Sequence, residues 1–111
     1  MPHEKHQPCI DACYACATAC DYCAVACLSE PHVAKMIDCI RADLDCAAIC
    51  RLAAEAMARG SDSMTQICAL CADICDQCAA ICEKHDAGHC QECAGACRAC
   101  AEECRNMARP V

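Results

Sequence analysis

The stretch CIDACYACATACDYCAVAC, residues 9–27, places cysteine at positions 9, 13, 16, 20, 23 and 27, in steps of 4, 3, 4, 3 and 4. That is the a/d repeat of a helix packed along its whole length against partner helices, with thiols where Leu and Ile would stand. At 1.5 Å per residue the stripe runs for about 27 Å. It is a continuous line of sulfur ligands, not one isolated site.

Three more segments repeat the pattern. Helix 1 is expected over about residues 8–28, with Pro8 in its first turn, until Ser29-Glu30-Pro31 interrupts it. Pro31 is expected to open helix 2 (31–59), whose seam reads Met36, Cys39, Asp43, Cys46, Cys50, Ala53 and Met57 before Gly60 stops it. Ser63 and Gln66 make a capping box for helix 3 (63–83), with seam Met64, Cys68, Cys71, Cys75, Cys78 and Cys82. After the Lys84-His85-Asp86-Ala87-Gly88 break, helix 4 (89–108) carries Cys90, Cys93, Cys97, Cys100, Cys104 and Met107 until Arg109-Pro110. Short connections between helices of this length predict an all-α, antiparallel up-down-up-down four-helix bundle with a Cys-lined core, one domain over residues 1–111. Alanines 12, 17, 24, 47, 72, 79, 94 and 101 flank the seams, and Ile67, Ile74 and Ile81 form an apolar row. These rows are expected to hold the bundle together without metal.

Nineteen of the 111 residues are Cys, Phe and Trp are absent, and Tyr14 and Tyr22 are the only aromatic residues, so thiols must occupy the space that large side chains normally fill. A secreted disulfide scaffold is the usual reading of so much cysteine. Against it, the opening Met1-Pro2-His3-Glu4-Lys5-His6 has no apolar run, and 19 is an odd number. Helical neighbours at i+3 and i+4 also hold their Cβ atoms about 5–6 Å apart, too far for a bridge. A reducing cytoplasm is expected, and no stretch is expected to reach a transmembrane length. The net charge of −7 and the scatter of Lys and Arg argue against nucleic acid.

Six C-x-x-C and eight C-x-x-x-C pairs tile the chain. Buried Cys can serve as a small hydrophobe, yet Ala, Val or Leu would fill a core without oxidative risk. Thiolates select soft or borderline ions: Cu(I), zinc or iron–sulfur clusters. A closed Zn(Cys)₄ site leaves a charge of −2, costly when repeated down a dry core. Cu(I) can sit between two thiolates, each of which can bridge two ions, so a filled core approaches neutrality. Multiple Cu(I) ions per chain are therefore expected on all nineteen cysteines. The competing readings are a zinc or general heavy-metal buffer of metallothionein type, which has loose Cys clusters without helical register, and an Fe–S protein, which needs one isolated Cys₄ set. No Cys–His–Asp nucleophile arrangement is present, so no enzymatic activity is expected.

The striped pattern, with Cys68-Ala-Leu-Cys-Ala-Asp-Ile-Cys75, the Lys84-His85-Asp86 turn running on to His89-Cys90, and Cys100-Ala-Glu-Glu-Cys104, resembles the cytosolic branch of the bacterial copper-storage proteins. The resemblance covers Cys9 to Met107. It implies a homotetramer of four-helix bundles holding many Cu(I) ions on core thiolates, and a cytosolic location, since no twin-arginine signal is seen. No copper donor or acceptor protein is indicated.

The antiparallel arrangement gathers His32, His85, His89 and Met36 at one end, and Met57, Met64 and Met107 near His3 and His6 at the other. Imidazole and thioether both bind Cu(I). The histidine end is the expected mouth, with His85 and His89 as candidate ligands and the N-terminal segment plugging the opposite end. Asp43 is the one carboxylate in a seam and a third candidate ligand. Asp11, Asp21, Asp73, Asp76 and Glu92 read as the solvated face. Tyr14, Val25, Leu28, Ile37 and Leu44 point outward and could form an oligomer surface.

Overall fold

Pro8 stands in the first turn of α1 (Gln7–Cys27), where its missing N–H leaves no gap in the helical ladder. In the computed structural model, which describes residues 2–108 and the side chains from Glu4 onward, α1 is followed by α2 (Ile37–Arg59), α3 (Met64–Cys82) and α4 (Gly88–Ala108). The His3 side chain and the Arg109-Pro110 stop lie outside the described residues. Each helix packs against its two chain or ring neighbours, α1 on α2 and α4, α3 on α2 and α4. The result is an antiparallel four-helix bundle, drawn out to 47 × 20 × 18 Å.

Two local expectations are corrected. Pro31 does not open α2: His32 has φ −115° and ψ 61°, outside the helical region, and a single 3₁₀ turn over Val33–Met36 precedes the helix. Ser63 does not cap α3 either. Its backbone (φ −93°, ψ 4°) is not the extended one that aims an N-cap side chain at the helix, and the Ser63 N–H is held by Ser61 Oγ at 3.1 Å. Gly60 does end α2, at φ +66°, where a side chain would strain the backbone.

A third correction concerns membranes. Glu4–Cys27 and Met64–Cys82 are long and apolar enough, by length and composition, to cross one, each with a mean hydropathy of 1.2. Cys and Ala supply much of that apolarity, and the cysteines among them are buried in the bundle, while 44% and 39% of the apolar windows within the two stretches are buried overall.

The core is the four seams. All nineteen cysteines are buried as free thiols. Around them, Ala17, Ala24, Ala47, Ala72, Ala79, Ala94 and Ala101 are buried, and Ile67, Ile74 and Ile81 pack against the cluster from its edge. Ile10, Ala54 and Ala56 are buried as well, where the N-terminal 3₁₀ turn (Pro2–His6) packs on α1 and α2. Of the acids expected on the solvated face, Asp21 pairs with Arg51 across α1 and α2. Asp76 pairs with Arg98 and Arg105 across α3 and α4. Tyr14, Val25, Leu28, Ile37 and Leu44 are all exposed.

Candidate metal centre

The antiparallel register sets the sulfurs in rungs. Between α1 and α4 the Sγ atoms meet as Cys9–Cys104, Cys13–Cys100, Cys16–Cys97 and Cys20–Cys93 at 3.6 Å, and as Cys23–Cys90 at 3.9 Å. Each step up α1 is matched by a step down α4, so the 4-3-4-3 spacings of two helices fall into phase. Between α2 and α3 the rungs are Cys39–Cys82 at 3.3 Å, Cys46–Cys75 at 3.6 Å and Cys50–Cys71 at 3.8 Å. Cross-contacts join the two ladders, among them Cys16–Cys46 at 3.8 Å and Cys50–Cys100 at 3.8 Å.

Asp43 takes the place of a sulfur in the α2–α3 ladder. Its Oδ1 stands 3.3 Å from Cys78, in the rung between Cys39–Cys82 and Cys46–Cys75. The same oxygen accepts from Cys93 at 3.2 Å and Cys82 at 3.5 Å, while Oδ2 accepts from Cys39 at 3.8 Å. Asp43 is fully buried. Burial pushes its carboxyl up to about 10, so this group holds its proton at neutral pH. The seam expectation placed Asp43 correctly; its four thiol neighbours come from three different helices and were not readable from spacing.

Two thiols at the histidine end are shifted in the same direction. Burial, followed by charge on Cys39, pushes Cys90 up to about 11, and burial with charge on Cys39 and Cys90 also raises Cys27. A neutral S–H is tolerable in a dry core where a row of thiolates is not.

The donor atoms fall into sets of four, all lying within 4.8 Å of one another. Cys16, Cys46, Cys50 and Cys75 form one set, Cys16, Cys20, Cys46 and Cys97 another, and Cys20, Cys78, Cys93 and Cys97 a third. Because Cys16, Cys20, Cys46 and Cys97 each serve two sets, closed tetrahedral sites cannot fill them all at once. Bridging thiolates can.

At the end bearing the α1–α2 and α3–α4 connections, His89 opens α4 and turns Nδ1 into the core, 3.5 Å from both Cys23 and Cys90 and 3.9 Å from Cys27. Cys23, Cys27, Cys39 and Cys90 make a four-sulfur set beside it. The other ring nitrogen, Nε2, lies 2.8 Å from Glu30 Oε1, a residue the sequence reading passed over as part of a turn. His85 is set apart from His89: with Glu30, His32, Met36 and Asp86 it lines an outer pocket of about 210 Å³. At the far end Met57 is fully buried, and Met64 and Met107 pack on the edge of the core. There His6, Cys9 and Met107 share a pocket of about 330 Å³. Cys9 is 4% exposed, whereas the other thiols are completely covered.

Known proteins share both the sequence pattern and this architecture. An uncharacterized cysteine-rich protein of Bacillus subtilis is 52% identical over 67 residues, 60% of this chain and 62% of the relative, so the match spans less than two thirds of that protein. The Cu(I)-bound copper storage protein BsCsp3 of Bacillus is 51% identical with a TM-score of 0.89, over 93% of this chain and 97% of its own. A cytosolic copper storage protein from Streptomyces lividans, caught during copper loading with five coppers, is 39% identical with a TM-score of 0.93, over 99% and 97%. The sequence pattern of the copper storage proteins matches residues 2–109, and with that match over nearly its whole length the chain belongs to the copper storage protein family.

Proposed function

We propose that this chain stores Cu(I) in the cytosol, taking many ions onto its nineteen core thiols and so keeping them from doing damage. The observation that carries the reading is the ladder of thiol contacts at 3.3 to 4.0 Å, joined across one rung by Asp43, with members shared between neighbouring four-sulfur sets. Shared donors suit an ion that accepts two thiolates and lets each thiolate bridge. They do not suit a metallothionein-type zinc buffer: four thiolates per closed zinc site would leave a charge of −2 at each. The copper-bound relatives support the choice of ion. Loading releases the protons that burial keeps on the thiols, so uptake is an exchange of Cu⁺ for H⁺ and the core stays near neutral.

In this reading Cys9, Cys13, Cys16, Cys20, Cys23, Cys27, Cys39, Cys46, Cys50, Cys68, Cys71, Cys75, Cys78, Cys82, Cys90, Cys93, Cys97, Cys100 and Cys104 are ligands, and Asp43 completes the ladder where helix α2 lacks a thiol. Copper enters at the histidine end, where His89 supplies a nitrogen ligand beside Cys23, Cys27 and Cys90, and His85 receives ions in the outer pocket. The protein is not a catalyst. It works as a homotetramer, and the exposed Tyr14, Val25, Leu28, Ile37 and Leu44 are the surface that supports this.

The test is an anaerobic titration of reduced protein with Cu(I) and, separately, with Zn²⁺, each against a competing chelator. Storage requires uptake approaching one Cu(I) per thiol. Saturation at a few ions, or Zn²⁺ filling as many sites more tightly, would overturn the reading.

A further inference from the structure

We infer that Glu30 is a positioning residue that holds His89 with its Nδ1 lone pair facing the Cys23, Cys27 and Cys90 sulfurs, making the histidine end a mixed nitrogen and sulfur site. The inference rests on the proposed role of His89 as a Cu(I) ligand. A carboxylate can only accept, so at 2.8 Å the proton in the Glu30 contact belongs to His89 Nε2. That fixes the neutral ring as the Nε2–H tautomer and leaves Nδ1 free, 3.5 Å from two sulfurs and 3.9 Å from a third. The His89 side chain is 13% exposed and Glu30 33%, so the contact sits at the rim, shielded on one side by the bundle.

Both partners are anchored. Glu30 lies three residues beyond the end of α1, and its own N–H donates to the Cys27 carbonyl at 3.2 Å. His89 stands in the first turn of α4, next to Cys90. The contact thus ties the α1–α2 connection to the start of α4 and sets the ring between two cysteines of the proposed ligand set. A carboxylate behind a metal-bound imidazole fixes its orientation and raises its basicity.

The experiment compares wild type, Glu30→Ala, Glu30→Gln, His89→Ala and the Glu30→Ala/His89→Ala double variant, each checked for helical circular dichroism, by anaerobic Cu(I) titration against a chelator. His89→Ala identifies the ions that depend on the ring. Glu30→Ala should weaken those same ions by about tenfold to a hundredfold. Glu30→Gln, which keeps an accepting oxygen, should restore most of the loss, and Glu30→Ala should add nothing in the His89→Ala background. In metal-free protein, ¹H–¹⁵N spectra should resolve the His89 Nε2–H proton in wild type and Glu30→Gln and lose it to solvent exchange in Glu30→Ala. A full Glu30→Ala effect without His89, or an unchanged Nε2–H signal, would overturn the inference while leaving copper storage intact. If His89→Ala binds Cu(I) like wild type, the ring is not a ligand, and both its proposed role and that of Glu30 are refuted.

Discussion

Replacing Asp43 with Asn should make the metal-free protein's stability less dependent on pH, by an amount that follows from the burial of this one carboxyl. An ordinary aspartate has a value near 3.8, and in the folded core this group is pushed up to about 10. Between those values the unfolded chain has released the proton and the folded chain still holds it. The contribution to stability is therefore fully present below the lower value and is lost steadily as pH rises towards the upper one. Each unit costs about 1.4 kcal/mol, so from pH 5 to pH 7 the wild type should lose about 2.7 kcal/mol relative to Asp43→Asn. The remaining titratable groups, the thiols and histidines included, are common to both proteins and cancel in the difference. Changes in hydrogen bonding to the amide add an offset that does not vary with pH. Urea denaturation of reduced, metal-free protein at the two pH values measures the quantity directly. A difference between the variants that stays constant from pH 5 to pH 7 would show Asp43 to be ionised in the folded state and would refute the assignment of a neutral carboxyl.

Gly60→Ala should destabilise the fold by about 1 kcal/mol in the same denaturation assay. An added Cβ meets nothing within 4 Å there, so the cost is that of the left-handed backbone at φ +66° alone. Leu44→Glu, at a site already 55% exposed, should leave the helical signal intact while shifting sedimentation from the proposed tetramer towards monomer; unchanged sedimentation would remove this face as the oligomer surface. Reduced, metal-free protein should show a fully helical circular dichroism spectrum, because buried alanines and the isoleucine row pack the bundle without ions; a coil spectrum that becomes helical only with Cu(I) would contradict that.

The seams were legible because the bundle obeys one rule: every residue placed at a or d between Cys9 and Cys104 lies inside, Asp43 and Ala53 included, except Met64, which packs on the edge of the core. What periodicity could not supply was the phase between helices. Cys16 meets Cys97 and not Cys93 because loop lengths and helix lengths set the register together, and neither is readable to one residue. Glu30 escaped notice for a related reason. Its partner lies far along the chain in α4, and nothing local separates a turn glutamate that orients a ring from one that is merely solvated. The two capping errors are local. Ser63-x-x-Gln66 and Glu30-Pro31 have the composition of helix starts, but Ser61 and His32 hold the backbone elsewhere. Transmembrane length was misjudged because cysteine counts as apolar, and a thiol seam buried in protein has the hydropathy of a lipid-facing span.

The thiol contacts themselves are not uniform along the tube, and the break in them gives Asp43 a structural meaning. Hydrogen bonds link Cys23, Cys27, Cys39, Cys78, Cys82 and Cys90 into one group at the histidine end. Others link Cys93 and Cys97 through Cys16, Cys46 and Cys50 towards Cys104 and Cys9. Asp43 Oδ1 touches both groups, Cys78 and Cys82 on one side and Cys93 on the other. A sulfur in its place would extend the ladder with one more soft donor. A carboxyl extends it with a hard donor that must give up a proton held by burial before it can bear charge. On the proposed entry at His89, ions moving inward would meet the stiffest change of ligand where the two groups join, while Cys20, Cys78, Cys93 and Cys97, within 4.8 Å of one another, offer an all-sulfur route beside it. The ladder is continuous in space but graded in chemistry, and the gradation comes from a single seam position on the helix with the fewest thiols.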